Sequence, residues 1–337
     1  MKRANLKLTI PAAAILLSLW PAVANAQSFS EDFDVDHSAS WVVNRSTGAN
    51  ANDAGSSAEF FFDYSTAGIP SAPHSVGTTT RGLRMQANKT GGIVSGLSVS
   101  PIGQTFSGDY TLRFDMWLNY NGPLGPSPVG GSGSTQMTSA GIGTAGTTPQ
   151  WAGGTQDSVW FGATGDGGTT ADYRAYSPAA ATGTGYTAPS GVFAAGTGTS
   201  PDARNAGHTY YAGFGGASAP EAQLTLFPGQ TGTTAPGAPG MAWRDVIISK
   251  QGNLVSYSID GLPIANVDIS AITLGGGNIF LGHFDPFAGS STDPNAVNVL
   301  FGLVDNVNVT PIPEPATYAA VFGLLAGAFA LIRRRTS

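Results

Sequence analysis

The stretch DYTLRFDMWLN, residues 109–119, alternates strictly between its two faces with a period of two residues. One face carries large apolar side chains, namely Tyr110, Leu112, Phe114, Met116 and Leu118. The other face carries Thr111, Arg113, Asp115 and Trp117. This pattern is typical of a β-strand that is buried on one side. It therefore predicts a strand whose Tyr110, Leu112, Phe114 and Met116 lie in the core.

Strand patterns recur between residues 27 and 311, whereas helix patterns are almost absent. The segment NLVSYSIDGLPIANVD, residues 253–268, predicts a β-hairpin, because Asp260-Gly261 suits a two-residue type I′ turn. Further strands are predicted for AEFFFDY, GLRMQA, DSVWFGAT, WRDVIISK, NIFLGHF and NVLFGLVDNVNV. Many strands with frequent turns favour an all-β sandwich or barrel, and we expect two antiparallel sheets packed face to face.

Two long stretches, residues 121–156 and 177–240, consist mainly of Gly, Ser, Thr, Ala and Pro. Few of their side chains are large and apolar, so they can bury little surface. We expect both stretches to be loop insertions that leave the sandwich and return to it.

The composition narrows the classes of function. The chain has no cysteine, which excludes disulfides, thiolate metal sites and cysteine nucleophiles. Between residues 27 and 311, nine Lys and Arg residues stand against 20 Asp and Glu residues. An acidic surface argues against a nucleic-acid partner, which requires a basic face, and is compatible with cation binding.

The N-terminus has the layout of a secretory signal peptide. Lys2, Arg3 and Lys7 precede an apolar run, and Ala24-Asn25-Ala26 forms a small-residue cleavage site. This order predicts that residues 1–26 are removed on export and that the mature chain begins at Gln27 or Ser28.

The C-terminus carries a second apolar run, residues 316–332, which predicts a short transmembrane helix. Three arginines follow it and would hold the C-terminal end in the cytoplasm, so the preceding residues would lie outside the inner membrane. The triplet Pro313-Glu314-Pro315 precedes the apolar run, and the three arginines after the run are Arg333, Arg334 and Arg335. In this order, residues 312–337 resemble the PEP-CTERM sorting signal of Gram-negative bacteria. The resemblance implies that an exosortase-type processing enzyme reads the triplet and removes the helix.

The order of features between the two ends resembles a second family. FSEDFD at residues 29–34 is followed by Trp41, by WFGATGDGGTTADYRAY, by the SIDGLPI hairpin and by LFGLVDNVNV. This order is similar to that of the concanavalin A-like lectin/glucanase jelly roll, as found in laminin-G-type domains. The resemblance assigns residues 27–311 to one jelly-roll domain of two antiparallel sheets.

No catalytic motif accompanies this resemblance. The Glu-x-Asp-x-x-Glu motif of the glucanases is absent, and Glu31, Glu59 and Glu221 are the glutamates between residues 27 and 311. No Gly-x-Ser-x-Gly elbow occurs, and the four histidines have no metal-ligand spacing. Retaining hydrolysis requires two carboxyl groups about 5 Å apart. An enzyme would therefore need an acid pair formed by residues distant in sequence.

The segment GDGGTTADYRAY, residues 165–176, is a candidate ligand-binding site. It places aromatic and polar side chains around a Gly-rich turn, namely Asp166, Asp172, Tyr173, Arg174 and Tyr176. Sugars stack on aromatic rings and hydrogen-bond to polar groups, so this mixture suits a sugar-binding surface. The alternative is a hairpin with its tyrosines in the core and its arginine in a surface pair.

Asp305 interrupts an apolar stripe in the last predicted strand, where Phe301, Leu303, Val307 and Val309 are expected to share its face. A carboxylate on a buried stripe requires a partner. Hydrogen-bond donors are one alternative, and a structural Ca²⁺ ion is the other. Resemblance to the glucanase-type jelly rolls implies Ca²⁺ at Asp305, with Asp34 as a companion.

Two classes of function stay open. The first is a non-catalytic surface or extracellular-matrix protein that binds carbohydrate or exopolysaccharide. The second is a secreted, glycoside hydrolase-like enzyme acting on polysaccharide. In either case we expect the precursor to be anchored transiently in the inner membrane of a Gram-negative bacterium and the mature protein to reach the cell surface or matrix.

Overall fold

The computed structural model describes residues 27–46, 56–88, 93–119, 135–154, 157–168, 171–178, 191–193, 203–289 and 295–313. The predicted signal peptide lies outside these ranges, as do the sorting signal from Glu314 onward and its helix and arginines. No helix within these ranges has the length and apolar character that crossing a membrane requires.

The described residues form sixteen strands and two short α-helices, so the all-β prediction is confirmed. The first eight strands are β1 (Phe29–Glu31), β2 (Trp41–Arg45), β3 (Ser57–Asp63), β4 (Arg81–Gln86), β5 (Ser95–Pro101), β6 (Tyr110–Asn119), β7 (Met137–Thr144) and β8 (Val159–Thr164). The next are β9 (Tyr173–Tyr176), β10 (Gly191–Phe193), β11 (Ala203–Arg204), β12 (Arg244–Gln251), β13 (Leu254–Ile259), β14 (Leu262–Asp268), β15 (Asn278–Asp285) and β16 (Phe301–Pro311). The helices are α1 (Glu221–Leu226) and α2 (Ala296–Val299).

Two antiparallel sheets form the sandwich. Sheet A has the order β10-β14-β13-β12-β6-β16-β4-β3, and β1 pairs with β16 beside this path. Sheet B has the order β11-β9-β8-β7-β15-β5-β2. The hairpin of β13 and β14 has the predicted turn, because Asp260 and Gly261 both have positive φ angles, of 50° and 76°.

The core lies between the sheets, and β6 contributes the residues that its alternation predicts. Tyr110, Leu112, Phe114 and Met116 are each at most 3% exposed and belong to one cluster with side chains of sheet B. The ring of Phe161 in sheet B stacks on Tyr257 in sheet A, with centroids 4.9 Å apart. Burial of the alternate apolar residues of β6 therefore holds the two layers together.

The prediction that residues 121–156 form a loop insertion is wrong for residues 137–144. They form β7, a fully buried strand that pairs with β8 on one side and β15 on the other. Its small residues are a packing requirement, because a Cβ on Gly141 would overlap the Cβ of Trp160 and the ring of Phe280. A Gly- and Ser-rich strand therefore resembled a loop by composition.

The predicted common face of β16 is also wrong, because the strand contains a bulge. Its register against β6 shifts between Asp305 and Asn308, and Asn306 has a positive φ of 53°. An extra residue in a bulge reverses the alternation of the residues that follow it. Val307 and Val309 therefore join the main core, whereas Phe301 and Leu303 join a separate cluster outside sheet A.

This second cluster covers one half of the outer face of sheet A. Trp117 of β6 and Leu303 of β16 pack there against residues of the 64–69 segment and against Ala219. The other half of the same face, around Arg113 and Asn308, is exposed. A row of buried polar side chains lies between the two halves.

Candidate functional site

Three aspartates lie side by side across three neighbouring strands on the outer face of sheet A. Asp115 of β6 is the register partner of Asp245 in β12 and of Asp305 in β16. Like charges directly opposite one another destabilise a sheet unless they are compensated. The side chains around them supply that compensation.

Asp305 is 1% exposed, and its carboxylate accepts hydrogen bonds at both oxygens. Oδ2 accepts from the Tyr64 hydroxyl at 3.0 Å and from Ser75 Oγ at 3.1 Å, and Oδ1 accepts from the N–H of Asn306 at 2.7 Å. Burial raises the pKa of the Asp305 carboxyl to about 7, and the nearby charge of Asp115 acts in the same direction. Hydrogen-bond donors, one of the two partners that the sequence leaves open, therefore surround Asp305.

Asp115 is fully buried and orients the ring of His74. Its Oδ1 lies 2.6 Å from Nδ1 of His74, and its Oδ2 accepts from the His74 N–H at 3.1 Å and from the Asn306 side-chain amide at 2.8 Å. The other ring nitrogen, Nε2, lies 2.8 Å from Nη2 of Arg113. Arg113 also donates twice to Asp245, at 2.7 and 3.0 Å. The chain of contacts therefore runs from buried Asp115 through His74 and Arg113 to Asp245, with one carboxylate at each end.

The ligand atoms of His74, Asp115 and Asp245 lie within 4.8 Å of one another, a spacing that a metal ion requires. The donor set does not fit an ion, because the Arg113 guanidinium bonds both Asp245 and His74 and so supplies the positive charge itself. Asp305 likewise has a donor on each oxygen. These groups form a hydrogen-bonded network rather than a cation site.

Asp34, the predicted companion of Asp305, lies in the turn after β1. Its N–H donates to Oδ1 of Asp32 at 3.1 Å. No hydrogen bond joins Asp34 to Asp305 among the described residues, and Asp34 is not part of the acidic group around His74.

The exposed half of the outer face forms a groove of about 720 Å³ next to this network. We call it the sheet-A groove. Its walls are formed by Ser30, Glu31, Asp32, His37, His74, Thr111, Arg113, Ile247, Asn306, Asn308 and Thr310. Hydroxyl, amide, imidazole, guanidinium and carboxylate groups therefore face one surface hollow. Two residues of its walls, His74 and Asn306, are held in place by hydrogen bonds to the buried carboxylates of Asp115 and Asp305.

Of the predicted sugar-binding segment, the structure describes residues 165–168, which follow β8, and residues 171–176, which include β9 near one edge of sheet B. Tyr176 and Tyr173 are buried, Tyr176 stacks on Trp160 at 3.9 Å and Tyr173 stacks on Tyr211 at 4.6 Å. The Arg174 guanidinium donates to the Tyr176 hydroxyl at 3.2 Å. The tyrosine rings thus contact other rings within the described residues, and sugar binding at this segment stays a prediction.

The two aspartates of this segment come close together. Asp172 is fully buried and accepts from Thr164 Oγ1 at 3.1 Å and from the N–H of Ala206 at 2.9 Å. Burial raises the pKa of Asp166 to about 6, and the charge of Asp172 adds to the effect. Asp172 has donors on both oxygens and therefore acts as a structural acceptor for the turn.

The residues of the sheet-A groove were mostly missed at the sequence level. Arg113 and Asp115 were placed correctly on the face of β6 opposite the core, but no pattern connected them to His74, which lies in an irregular segment. The available signal was the recurrence of an aspartate on the outer face of three separate strands, at Asp115, Asp245 and Asp305.

No protein-family model and no curated protein matches the chain. Solved structures match it at low similarity. A protein of unknown function with a galectin-like fold from Bacillus subtilis has a TM-score of 0.39 and 10% identity, over 84% of this chain and 94% of that one. The β-glucanase of Bacillus licheniformis has a TM-score of 0.38 and 11% identity, over 86% and 100%. The exoplasmic/lumenal domain of VIP36 in its Ca²⁺/Man2-bound form has a TM-score of 0.38 and 10% identity, over 86% and 91%.

Proposed function

We propose that this protein is a non-catalytic, exported surface or matrix protein that binds neutral polysaccharide in the sheet-A groove. The observation that carries the proposal is the groove itself. It combines several classes of hydrogen-bonding group in one hollow, and a buried network fixes two of them. Preorganised polar groups are what the recognition of hydroxyl-rich ligands requires, because little ordering remains to be done on binding.

The distribution of acids favours binding over hydrolysis. In the described strands of sheet B the one acidic residue is Asp285, which is buried and accepts from the side-chain amide of Asn88 at 2.9 Å. The sheet-A groove is lined by two acidic residues with engaged carboxylates. Glu31 Oε1 accepts from the N–H of Phe33 at 3.0 Å and contacts His37, and Asp32 Oδ1 accepts from the N–H of Asp34 at 3.1 Å. Glycoside hydrolysis requires two cooperating carboxyl groups. A polysaccharide-active enzyme remains the alternative, and release of new reducing ends from a bound polysaccharide would identify it.

Export and sorting are part of the same proposal, and the sequence of the two ends supports them. Residues 1–26 would direct secretion, and Pro313-Glu314-Pro315 with the apolar run and the arginines would be read by an exosortase-type enzyme at the inner membrane. The mature protein would then reach the cell surface or matrix.

Structural Ca²⁺ at Asp305 is the second candidate for that residue, and the acidic composition of residues 27–311 favours it. The three donors around Asp305 favour the hydrogen-bonded alternative. Thermal unfolding of the full chain with Ca²⁺ and with chelator decides between them. We expect the two midpoints to coincide, whereas a higher midpoint with Ca²⁺ would identify an ion site.

A glycan-array screen of the full chain tests the binding proposal. We expect neutral glycans to bind and expect Asn308→Ala, an exposed change in the groove wall, to weaken them several-fold. The loss of one hydrogen bond to the glycan, which contributes about 0.5–1.5 kcal/mol of binding free energy, accounts for this reduction in affinity. Asn253→Ala, in the exposed turn between β12 and β13, is the matched control and should leave binding unchanged. Absence of binding to any glycan would contradict the proposal.

A further inference from the structure

The sheet-A groove continues past β1 into a second hollow of about 430 Å³. The two hollows have two wall residues in common, Glu31 and His37. Nδ1 of His37 lies 3.1 Å from both carboxylate oxygens of Glu31. The contact between His37 and Glu31 therefore forms a bridge between the two hollows. The surface therefore offers two adjoining hollows that meet at this pair.

The second hollow combines an exposed apolar side chain with polar groups. Its walls include the exposed side chain of Ile102, which is 52% accessible, together with Pro101 and Phe29. Gln104 and Ser40 supply polar groups at its edge. A sugar ring has apolar C–H faces and a polar rim, and this combination of an apolar patch and amide or hydroxyl groups matches both.

The position of Ile102 is fixed by the fold. The residue directly follows β5, and its N–H donates to the carbonyl of Ser40 at 2.8 Å. The hydrogen bond fixes the backbone at Ile102, and its β-branched side chain has few χ1 states to lose. It therefore gains from burial by a ligand without a large ordering cost.

We propose that the two hollows form one extended site, bridged by Glu31 and His37, that binds a linear neutral polysaccharide along its length rather than a terminal sugar. This inference rests on the proposed function and specifies its ligand. The first hollow would hold one part of the polymer through hydrogen bonds, and the second would hold the following part through Ile102 and Gln104.

The charges of the site favour a neutral polymer. Glu31 lines both hollows and Asp32 lines the first, and the charge of Arg113 is matched by Asp245. The chain between residues 27 and 311 is also strongly acidic. An anionic polysaccharide would be repelled by this surface.

Length dependence of binding tests the extended site. The probes are ladders of oligosaccharides of glucose and of N-acetylglucosamine, from disaccharides upward, titrated calorimetrically into the full chain. We expect affinity to rise with length until both hollows are filled and then to level off. Ile102→Ser should lower affinity for the long members by roughly tenfold, the ratio that corresponds to about 55 Å² of apolar surface. It should leave the short members unchanged.

Leu226→Ser is the matched control, because Leu226 is 51% exposed and lies on α1, away from both hollows. It should change neither the affinity nor its dependence on length. Circular dichroism of both variants checks that the strands are retained.

The outcomes separate the two proposals. Equal affinity for all lengths, or an unchanged length dependence in Ile102→Ser, would overturn the extended site and leave a single-hollow binding protein. Absence of binding by every member of both ladders would overturn the proposed function itself. Tighter binding of a polyuronate than of the neutral ladders would contradict the neutral character of the ligand.

Discussion

At the scale of single residues, Asp305 shows how hydrogen-bond donors surround a buried carboxylate. The Tyr64 hydroxyl, Ser75 Oγ and the Asn306 N–H occupy its oxygens. Hydrogen bonds favour the charged form, but burial outweighs them and the pKa of Asp305 rises to about 7. Ionised Asp305 therefore makes the folded protein less stable than protonated Asp305 does.

Replacing Asp305 with Asn should change how stability depends on pH. Because the pKa of Asp305 is higher in the folded state, the folded protein binds more protons between about pH 4 and pH 7. The stability contribution of this residue is therefore complete below about pH 4 and is lost as the pH rises through about 7. His283 acts in the opposite direction, because burial lowers its pKa to about 3 and stability then rises with pH over most of the same range. Chemical denaturation of the full chain across this range should therefore show stability that falls less, or rises more, with pH in Asp305→Asn than in the wild type.

Asp268→Asn is the control for this measurement. Asp268 is exposed, and hydrogen bonds from Ser270 lower its pKa, so its titration falls below the window. Asp166 also has a raised pKa, and it contributes equally to the pH dependence of stability in the wild type and in both variants. Identical slopes for the wild type and Asp305→Asn would mean that Asp305 titrates as an ordinary carboxyl.

At the scale of the strand, close packing explains why β7 was mistaken for a loop. Its Gly141 lies under Trp160 and Phe280, where no side chain fits. Composition indicates that a segment can bury little of its own surface, but it does not indicate whether large neighbours cover it. The strand lies in the middle of sheet B because small residues leave space for the aromatic rings of β8 and β15.

Gly141→Ala should therefore destabilise the protein, and Gly162→Ala should not. A methyl group on Gly141 overlaps Trp160 and the carbonyl of Val159, whereas on Gly162 its nearest neighbour is Met137 Cε at an ordinary 3.5 Å. Overpacking of this kind costs about 1–3 kcal/mol. Urea denaturation measures the loss of unfolding free energy in each variant. Equal stabilities of the two variants would contradict the placement of β7.

Phe114→Ala tests the central strand of sheet A. Phe114 is 2% exposed, so its removal should cost about 3–5 kcal/mol of unfolding free energy. Phe61→Ala is the comparison, because Phe61 lies on β3 and is 37% exposed. A loss at Phe114 no greater than the loss at Phe61 would place Phe114 outside the core.

At the scale of the whole molecule, strict alternation made β6 and the β13–β14 hairpin predictable, because period and turn chemistry are local properties. The course of β16 was not predictable, because no sequence pattern indicates the bulge at Asn306, after which the side chains point to the opposite faces of the sheet. The sheet-A groove was not predictable either, since it depends on which strands become neighbours. Asp115, Asp245 and Asp305 are far apart in the chain and meet only through the register of three strands.

The sorting proposal also belongs to this scale. We expect mass spectrometry of the protein from its native host to find a surface form that lacks residues 1–26 and the apolar run after Thr317. Glu314→Ala should be exported but retained in the inner membrane. A surface form that reaches Ser337 would contradict processing at the C-terminus.

The central claim is that polysaccharide binds on the outer face of sheet A. Backbone hydrogen exchange of the full chain, with and without a saturating neutral polysaccharide, locates the site most directly. We expect slower exchange in residues 32–40, 74–79 and 102–106, which border the two hollows, and no change in residues 145–154 beside sheet B. Protection confined to residues 145–154 or to the β8–β9 hairpin would place the ligand on sheet B and contradict the claim.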